Sequence, residues 1–344
     1  MAWTKAGSDS RWVHSVRDIL LCMTAEMKNS LPERRDLQVR EPVLRNKLAT
    51  MELPPTMRSF ARYSQGGLHL IGVESKQPKS DPLLVALPGF AHANWSYIDL
   101  IQALGREQIE ITALSFPGDW ESKPFEKSME DLRADDYTNA AKTLLKEVGR
   151  PVILVGHSFG GLVAQKIADD EDVKNAIQGL VLINSVPPSS LRARNVPAAG
   201  GVFHPKDDMV WKERLFAGMD SPDREWWFRE LDKAEASVAV MNDYVAGNAG
   251  GLVDPSAIKV PILELSGSED MNVLTTLKER SDAVSEFSDK GNRERGSITE
   301  FYKAAGHDEN AWHEIIAGAP HDMILGPYAP QLAEAIKRRF YTSD

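Results

Sequence analysis

Six consecutive residues carry the clearest chemistry in the chain: Gly156-His157-Ser158-Phe159-Gly160-Gly161. The apolar run Pro151 to Val155 precedes them, and Leu162 to Ala168 follows with helical character. A buried strand therefore turns abruptly into a helix with a serine at the bend, the arrangement of a nucleophile elbow. Such a turn holds its serine in a left-handed-type conformation, so the positions two before and two after must lack bulk. Its geometry aims the Phe159 N–H and the helix N-terminus at one point, where a developing oxyanion would be stabilised. The blander alternative for these six residues is an ordinary Gly-Ser turn.

The elements needed to position this serine can be read around it. Strands are expected at Arg58–Tyr63, His69–Glu74, Leu83–Leu87, Glu110–Ser115, Val152–Val155, Leu180–Ile183, Ile262–Leu265 and His313–Ala317. Ser64-Gln65-Gly66-Gly67 lies in a hairpin turn between the first two. The later strands are short, apolar and often β-branched, as strands covered on both faces are. Helices are expected at Tyr97–Leu104, Met129–Val148, Gly160–Ala168 and Pro330–Phe340. This alternation predicts an α/β three-layer sandwich around a mostly parallel, eight-stranded sheet.

Two regions depart from the alternation. Residues 1–55 read as an N-terminal helical extension, with apolar residues at helical spacing from Val13 to Met27. Residues 186–250 lack strand signals and hold Trp211, Phe216, Trp226, Trp227 and Phe228. That segment reads as a helical lid over the carboxyl ends of the strands, where ligands bind in such folds. An ordinary helical layer with a tryptophan core is the other reading. Residues 56–185 and 251–344 then form the two parts of the core. Gly247 to Gly251 marks the return of the lid to the sheet.

Bulk properties narrow the function. The 344 residues carry a net charge of −10, which opposes nucleic acid as a partner and gives no support for binding to anionic membranes. A hydrophobic content of 42% with 26% charged residues fits a soluble globular protein. The single cysteine, Cys22, permits no intrachain disulfide, and no signal-peptide stretch is evident, so a cytoplasmic location is expected. No ligand spacing for a metal is present, and no cofactor is implied.

From residue 56 onward the chain resembles the α/β-hydrolase family. The resemblance rests on the elbow, on Leu87-Pro88-Gly89-Phe90-Ala91-His92-Ala93-Asn94-Trp95, on Gly267-Ser268-Glu269-Asp270, and on Ala319-Pro320-His321-Asp322. The order Ser…Asp…His is the one this fold uses. The resemblance implies Ser158 as nucleophile, Asp270 as the triad acid with Glu269 its neighbouring competitor, and His321 as the base. His307 takes the last role if Ile298–Lys303 is the final strand. It further implies an oxyanion hole from the Phe90 and Phe159 N–H groups, with Pro88 standing where the family usually has histidine. His92, Trp95, Trp211 and Trp227 are expected to line the substrate site. Phe116 to Ser122 echoes a family turn, with Trp120 where a second glycine is common. The stretch Lys290–Arg295 reads as an exposed insertion.

The implied function is a serine hydrolase that cleaves a carboxylic ester, lactone or thioester of a bulky apolar small molecule. A carbon–carbon hydrolase, lyase or metabolite-rearranging enzyme could use the same three groups, and a non-catalytic ligand binder could keep the scaffold. A homodimer through the N-terminal helix is a further expectation.

Overall fold

The computed structural model describes residues 39–77, 79–188, 201–245, 251–270 and 298–342. The expected helix Val13–Met27, Cys22, most of the Gly247–Gly251 turn and the stretch Lys290–Arg295 lie outside the described residues.

Eight strands form one sheet in the order β1-β2-β4-β3-β5-β6-β9-β10. They are β1 (Met57–Tyr63), β2 (His69–Ser75), β3 (Leu83–Leu87), β4 (Ile111–Leu114), β5 (Val152–His157), β6 (Ile177–Ile183), β9 (Ile262–Gly267) and β10 (Ala311–Ile316). Only the pairs made by β2 are antiparallel; every later pair is parallel. The mostly parallel eight-stranded sheet of the sequence reading is therefore present, with strand ends displaced by at most three residues.

Side-chain alternation explains why helices cover both faces. In β5, Ile153 and Val155 join one apolar cluster, while Val152 and Leu154 join another on the opposite face. Val181 and Ile183 of β6 divide from Leu180 and Leu182 in the same way. Helices α2 (Ile98–Arg106) and α9 (Ala329–Phe340) seal the first face through Ile101, Leu104, Leu332 and Ile336. Helices α3 (Ala134–Val148) and α4 (Phe159–Ala168) seal the second through Leu144, Leu145, Leu162 and Ile167. Each such fully buried aliphatic side chain contributes roughly 1.5–3 kcal/mol of transfer free energy.

Several expectations are corrected. Helix α3 begins at Ala134 rather than Met129, because the Asp136 carboxylate accepts the Arg133 N–H at 2.9 Å and fixes the helix start there. Ile298–Ala304 is a helix, α8, which removes the alternative of a final strand there with His307 as base. The Glu264 carboxylate caps it, accepting from the Ile298 and Thr299 N–H groups. Helix α1 (Pro42–Ala49) buries Leu44 and Leu48 in the first-face cluster, so the packed body begins well before residue 56. The segment after β6 is not wholly helical. Two-residue strands β7 (Val202–Phe203) and β8 (Ala236–Ser237) pair antiparallel beside α5 (Met209–Leu215), α6 (Arg224–Leu231) and α7 (Val238–Val245). Among the described residues, no helix is long and apolar enough to cross a membrane.

Candidate active site

Register aligns the strand ends that matter. Leu87 pairs with Gly156, His157 with Ile183, Ile183 with Leu265, and Gly267 with Ile316. Residues just beyond these ends, at 88–92, 158, 184, 268–270 and 318–322, therefore gather at one sheet edge.

Ser158 sits there at φ 52°, ψ −119°, a conformation costing about 1–3 kcal/mol. Surrounding bonds hold it. Its N–H donates to the Ile183 carbonyl at 3.0 Å, and its own carbonyl accepts from Gly161 and Val186. The flanking glycines are required by contact. A Cβ on Gly156 would lie 2.5 Å from the Gly160 carbonyl oxygen, and one on Gly160 would lie 2.1 Å from that of Leu87. His157 and Phe159 are buried on either side, while Ser158 itself is half-exposed.

His321 Nδ1 lies 2.8 Å from Asp270 Oδ2, with Asp270 fully buried. This contact fixes the Nδ1–H tautomer and leaves Nε2 as the basic nitrogen. Burial alone would depress the His321 pKa. The Asp270 carboxylate, through its charge and its hydrogen bond, together with Asp322, outweighs that and holds it above the ordinary histidine value. The rings of His157 and His321 are 4.9 Å apart, which brings the elbow and the histidine loop together. His307 lies elsewhere, with Nε2 3.0 Å from the Pro255 carbonyl oxygen. Glu269, the neighbouring acid, makes its side-chain contact with Ser268.

Phe159 is the first residue of α4, so its N–H has no partner within the helix. Across the gap, Ala91 takes φ 58° and His92 N–H donates to the Gly89 carbonyl at 3.1 Å, forming a tight turn around Phe90. A Cβ on Gly89 would fall 3.2 Å from the Ser158 Cβ, so this turn abuts the nucleophile candidate directly.

The four expected substrate contacts divide. Trp211 is half-buried, with its ring 6.3 Å from that of His92. Trp227 is fully buried and stacks on Phe216, so it belongs to the core and not to a substrate surface. Trp95 is 1% exposed and stacks on His92. His92 is itself buried, with Nδ1 2.8 Å from the Phe90 carbonyl oxygen and Nε2 2.9 Å from Asp322 Oδ2. Trp95 and His92 thus brace the Phe90 turn from behind.

Two contributors escaped the sequence reading. Asn184, at φ 43°, accepts the Gly267 N–H at 2.8 Å and donates to the Pro320 and His321 carbonyl oxygens at 3.0 and 2.8 Å. Its only sequence signal is an asparagine directly after a strand, a residue tolerant of left-handed backbone. Asp322, fully buried, also lies 3.4 Å from His157 Nε2. Its carboxyl is held below the usual range: burial would raise it, but His92 and then His157 and His321 more than compensate. His157, by contrast, is pushed down to about 3 by burial and stays neutral. Candidate metal-ligand atoms of His157, His321 and Asp322 lie within 4.8 Å of one another. His157 Nε2 faces the His321 carbonyl at 3.0 Å and His321 Nδ1 faces Asp270, so these atoms are already engaged in hydrogen bonds.

A model of the alpha/beta hydrolase family matches residues 84–323, a span containing all of these groups. The chain belongs to the alpha/beta hydrolase family. It is 32% identical over 125 residues to protein phosphatase methylesterase 1 of Mus musculus and 30% identical to that of Homo sapiens. That match takes in 35% of this hydrolase and 32% of each relative, so the chain spans about a third of their length. Among solved structures, naproxen esterase from Bacillus subtilis superposes with TM-score 0.54 at 17% identity, covering 89% of this chain and 99% of that one. The thioesterase domain from the curacin biosynthetic pathway gives TM-score 0.54 at 15% identity, covering 82% and 99%. A membrane phospholipase A described as a bacterial virulence factor gives 0.56 at 16%, covering 94% and 95%. These three likenesses concern the fold alone.

Proposed function

We propose that this hydrolase cleaves carboxylic esters, lactones or thioesters of bulky apolar small molecules through an acyl-enzyme. The observation that carries the reading is the buried 2.8 Å contact between His321 and Asp270, at the sheet edge that also holds the strained Ser158. In this reading Ser158 Oγ attacks the carbonyl carbon while His321 Nε2 takes its proton. The Phe90 and Phe159 N–H groups stabilise the oxyanion. The tetrahedral intermediate expels the alcohol or thiol, which takes the proton from His321. Water then repeats the sequence on the acyl-enzyme, releasing the acid and restoring Ser158.

Residues 186–250 serve as the lid. The supporting contacts are Phe203 against Phe90, with ring centroids 5.7 Å apart, and Trp211 against His92. The inserted segment thereby reaches the oxyanion turn and supplies aromatic surface beside it. The methylesterase relatives, as named, act on esters, and this agrees with the reading.

Hydrolysis of phenyl alkanoates by the wild type and by Ser158→Ala tests the proposal. Loss of at least a thousandfold in kcat, with a fluorophosphonate adduct on Ser158 in the wild type, is the expected result. Wild-type turnover by Ser158→Ala defeats it. A folded wild type with turnover of carbon–carbon substrates but no adduct points instead to proton-transfer chemistry at the same groups.

A further inference from the structure

A small cavity of about 10 Å³ opens beside the oxyanion turn, enough for one water-sized group. Phe90 and Phe159, the two residues whose N–H groups would face the scissile carbonyl, form part of its wall. Together with Gly89 and Ala91 they place the cavity against the oxyanion turn.

Most of the remaining wall is apolar or aromatic, including Phe116 and Tyr137, but two side chains are acidic: Asp119 and Glu235. Asp119 is 8% exposed, and no described residue donates a hydrogen bond to its carboxyl. Burial, with no compensating partner, holds that carboxyl well above the ordinary carboxylate range. A ligand group that donates a hydrogen bond would give this carboxyl a partner that the described residues do not. Its position is fixed by the loop. The Asp119 N–H donates to the Phe116 carbonyl at 3.0 Å, and its carbonyl accepts from Ser122. The next residue, Trp120, is clamped by a 2.9 Å bond from Nε1 to Glu230 on α6. These bonds hold the Asp119 backbone at the cavity wall.

We propose that Asp119 is a substrate-recognition residue that selects esters whose acyl part carries an amine one or two carbons from the scissile carbonyl. The proposal rests on the ester-hydrolase reading and names the substrate class for that site. An ammonium is small enough for the cavity, supplies the N–H donors that the Asp119 carboxyl lacks, and brings the positive charge that stabilises its ionised form. Glu235 at the same wall adds attraction for a cation. Both carboxyls disfavour an anionic group there. A hydrocarbon of equal size leaves Asp119 unsatisfied, and sites built around a buried polar group discriminate strongly against such analogues.

The test compares phenyl esters of equal shape: glycyl against propanoyl and β-alanyl against butanoyl, each rate corrected for hydroxide-catalysed hydrolysis. The wild type should favour at least one amino ester over its isostere by tenfold or more in kcat/KM. Asp119→Leu should invert that ratio, and Asp119→Asn, which keeps the shape, should bring it towards unity. If the leucine variant fails to fold, the asparagine variant decides. Equal rates, a preference for the alkanoyl esters, or an amine preference that survives in Asp119→Asn overturns the proposal while leaving the hydrolase reading intact. Absence of any hydrolysis, with no fluorophosphonate adduct on Ser158, defeats the hydrolase reading and this proposal together.

Discussion

His92 Nε2 and Asp322 Oδ2 lie 2.9 Å apart, buried, and join two loops that are 230 residues apart in sequence. One loop carries the Phe90 N–H; the other carries His321. Both ring nitrogens of His92 face acceptors, the Phe90 carbonyl and Asp322. The Asp322 carboxyl is held below the usual carboxylate range. Removing either partner leaves the other buried without this hydrogen bond, a loss of about 1–3 kcal/mol.

Asp322→Asn keeps an acceptor for His92 but removes the charge. Its effect should fall on kcat, by about tenfold to a hundredfold, because the oxyanion turn loosens while the substrate pocket stays. Asp322→Ala should in addition lower the thermal midpoint. Steady-state kinetics on a phenyl ester, with a melting curve for each variant, separates the two. A change confined to KM would show that the pair does not act on the turn.

Acid inactivation follows from the His321 shift. In the proposed mechanism His321 must be neutral to accept the Ser158 proton, and its pKa lies above the ordinary value because Asp270 and Asp322 outweigh burial. kcat/KM should therefore be low in acid and rise through a midpoint above 6.5, the ordinary value. Asp322→Asn should move that midpoint down. The stability contribution has the opposite sense. Protonated His321 is favoured in the folded state, so its contribution is full below the unfolded pKa and fades as pH rises through the folded one. Asp270→Asn should cost on the order of 10⁴ in kcat, since the amide favours the wrong tautomer. A pH–rate profile of the three proteins checks all of this.

The sheet and elbow were legible because they write a period into the sequence. Ile153 and Val155 alternate with Val152 and Leu154 over a run long enough to recognise. The Gly160-Gly161 pair in the elbow reports a close approach that no other residue permits. Ile298–Ala304 was harder, since a short run with β-branched and aromatic residues suits strand or helix equally, and the decision came from a distant Glu264 carboxylate. Strands β7 and β8 are two residues each, too short to show any period. Trp227 carries no sequence mark that separates a core indole from a pocket one. Asp322 and Asn184 act through contacts between remote loops, which no local pattern records.

Trp120 tests how strain is held. At φ 53° it occupies a left-handed conformation that disfavours a side chain by roughly 1–2 kcal/mol. The indole N–H bond to the buried Glu230 offsets this, and the ring also meets His69 at 5.2 Å. Trp120→Gly relieves the backbone but removes the packing and one donor to a carboxylate. The packing loss is the larger effect, so the variant should be less stable by about 2 kcal/mol net. Chemical denaturation measures this directly. A variant as stable as the wild type would show that the strain had been the dominant effect.

Asn184 allows backbone and side-chain roles to be separated. Its φ of 43° is tolerated by Gly, Asn and Asp alike, so substitutions among these three leave the turn intact. Asn184→Gly removes one bond accepted from Gly267 and two donated to Pro320 and His321. The histidine loop then loses its tie through Asn184 to the end of β6 and to Gly267, and kcat should fall by about tenfold, equivalent to roughly 1.4 kcal/mol. Asn184→Asp keeps the bond from Gly267 but points a carboxylate at two carbonyl oxygens. Repulsion there should push the His321 loop away, so the aspartate variant should be slower than the glycine variant despite its closer shape. That order distinguishes hydrogen bonding from occupancy. If the aspartate variant retained more activity than the glycine one, the tie to Gly267 would be the important contact, and the bond to the His321 carbonyl would have no part in placing the base.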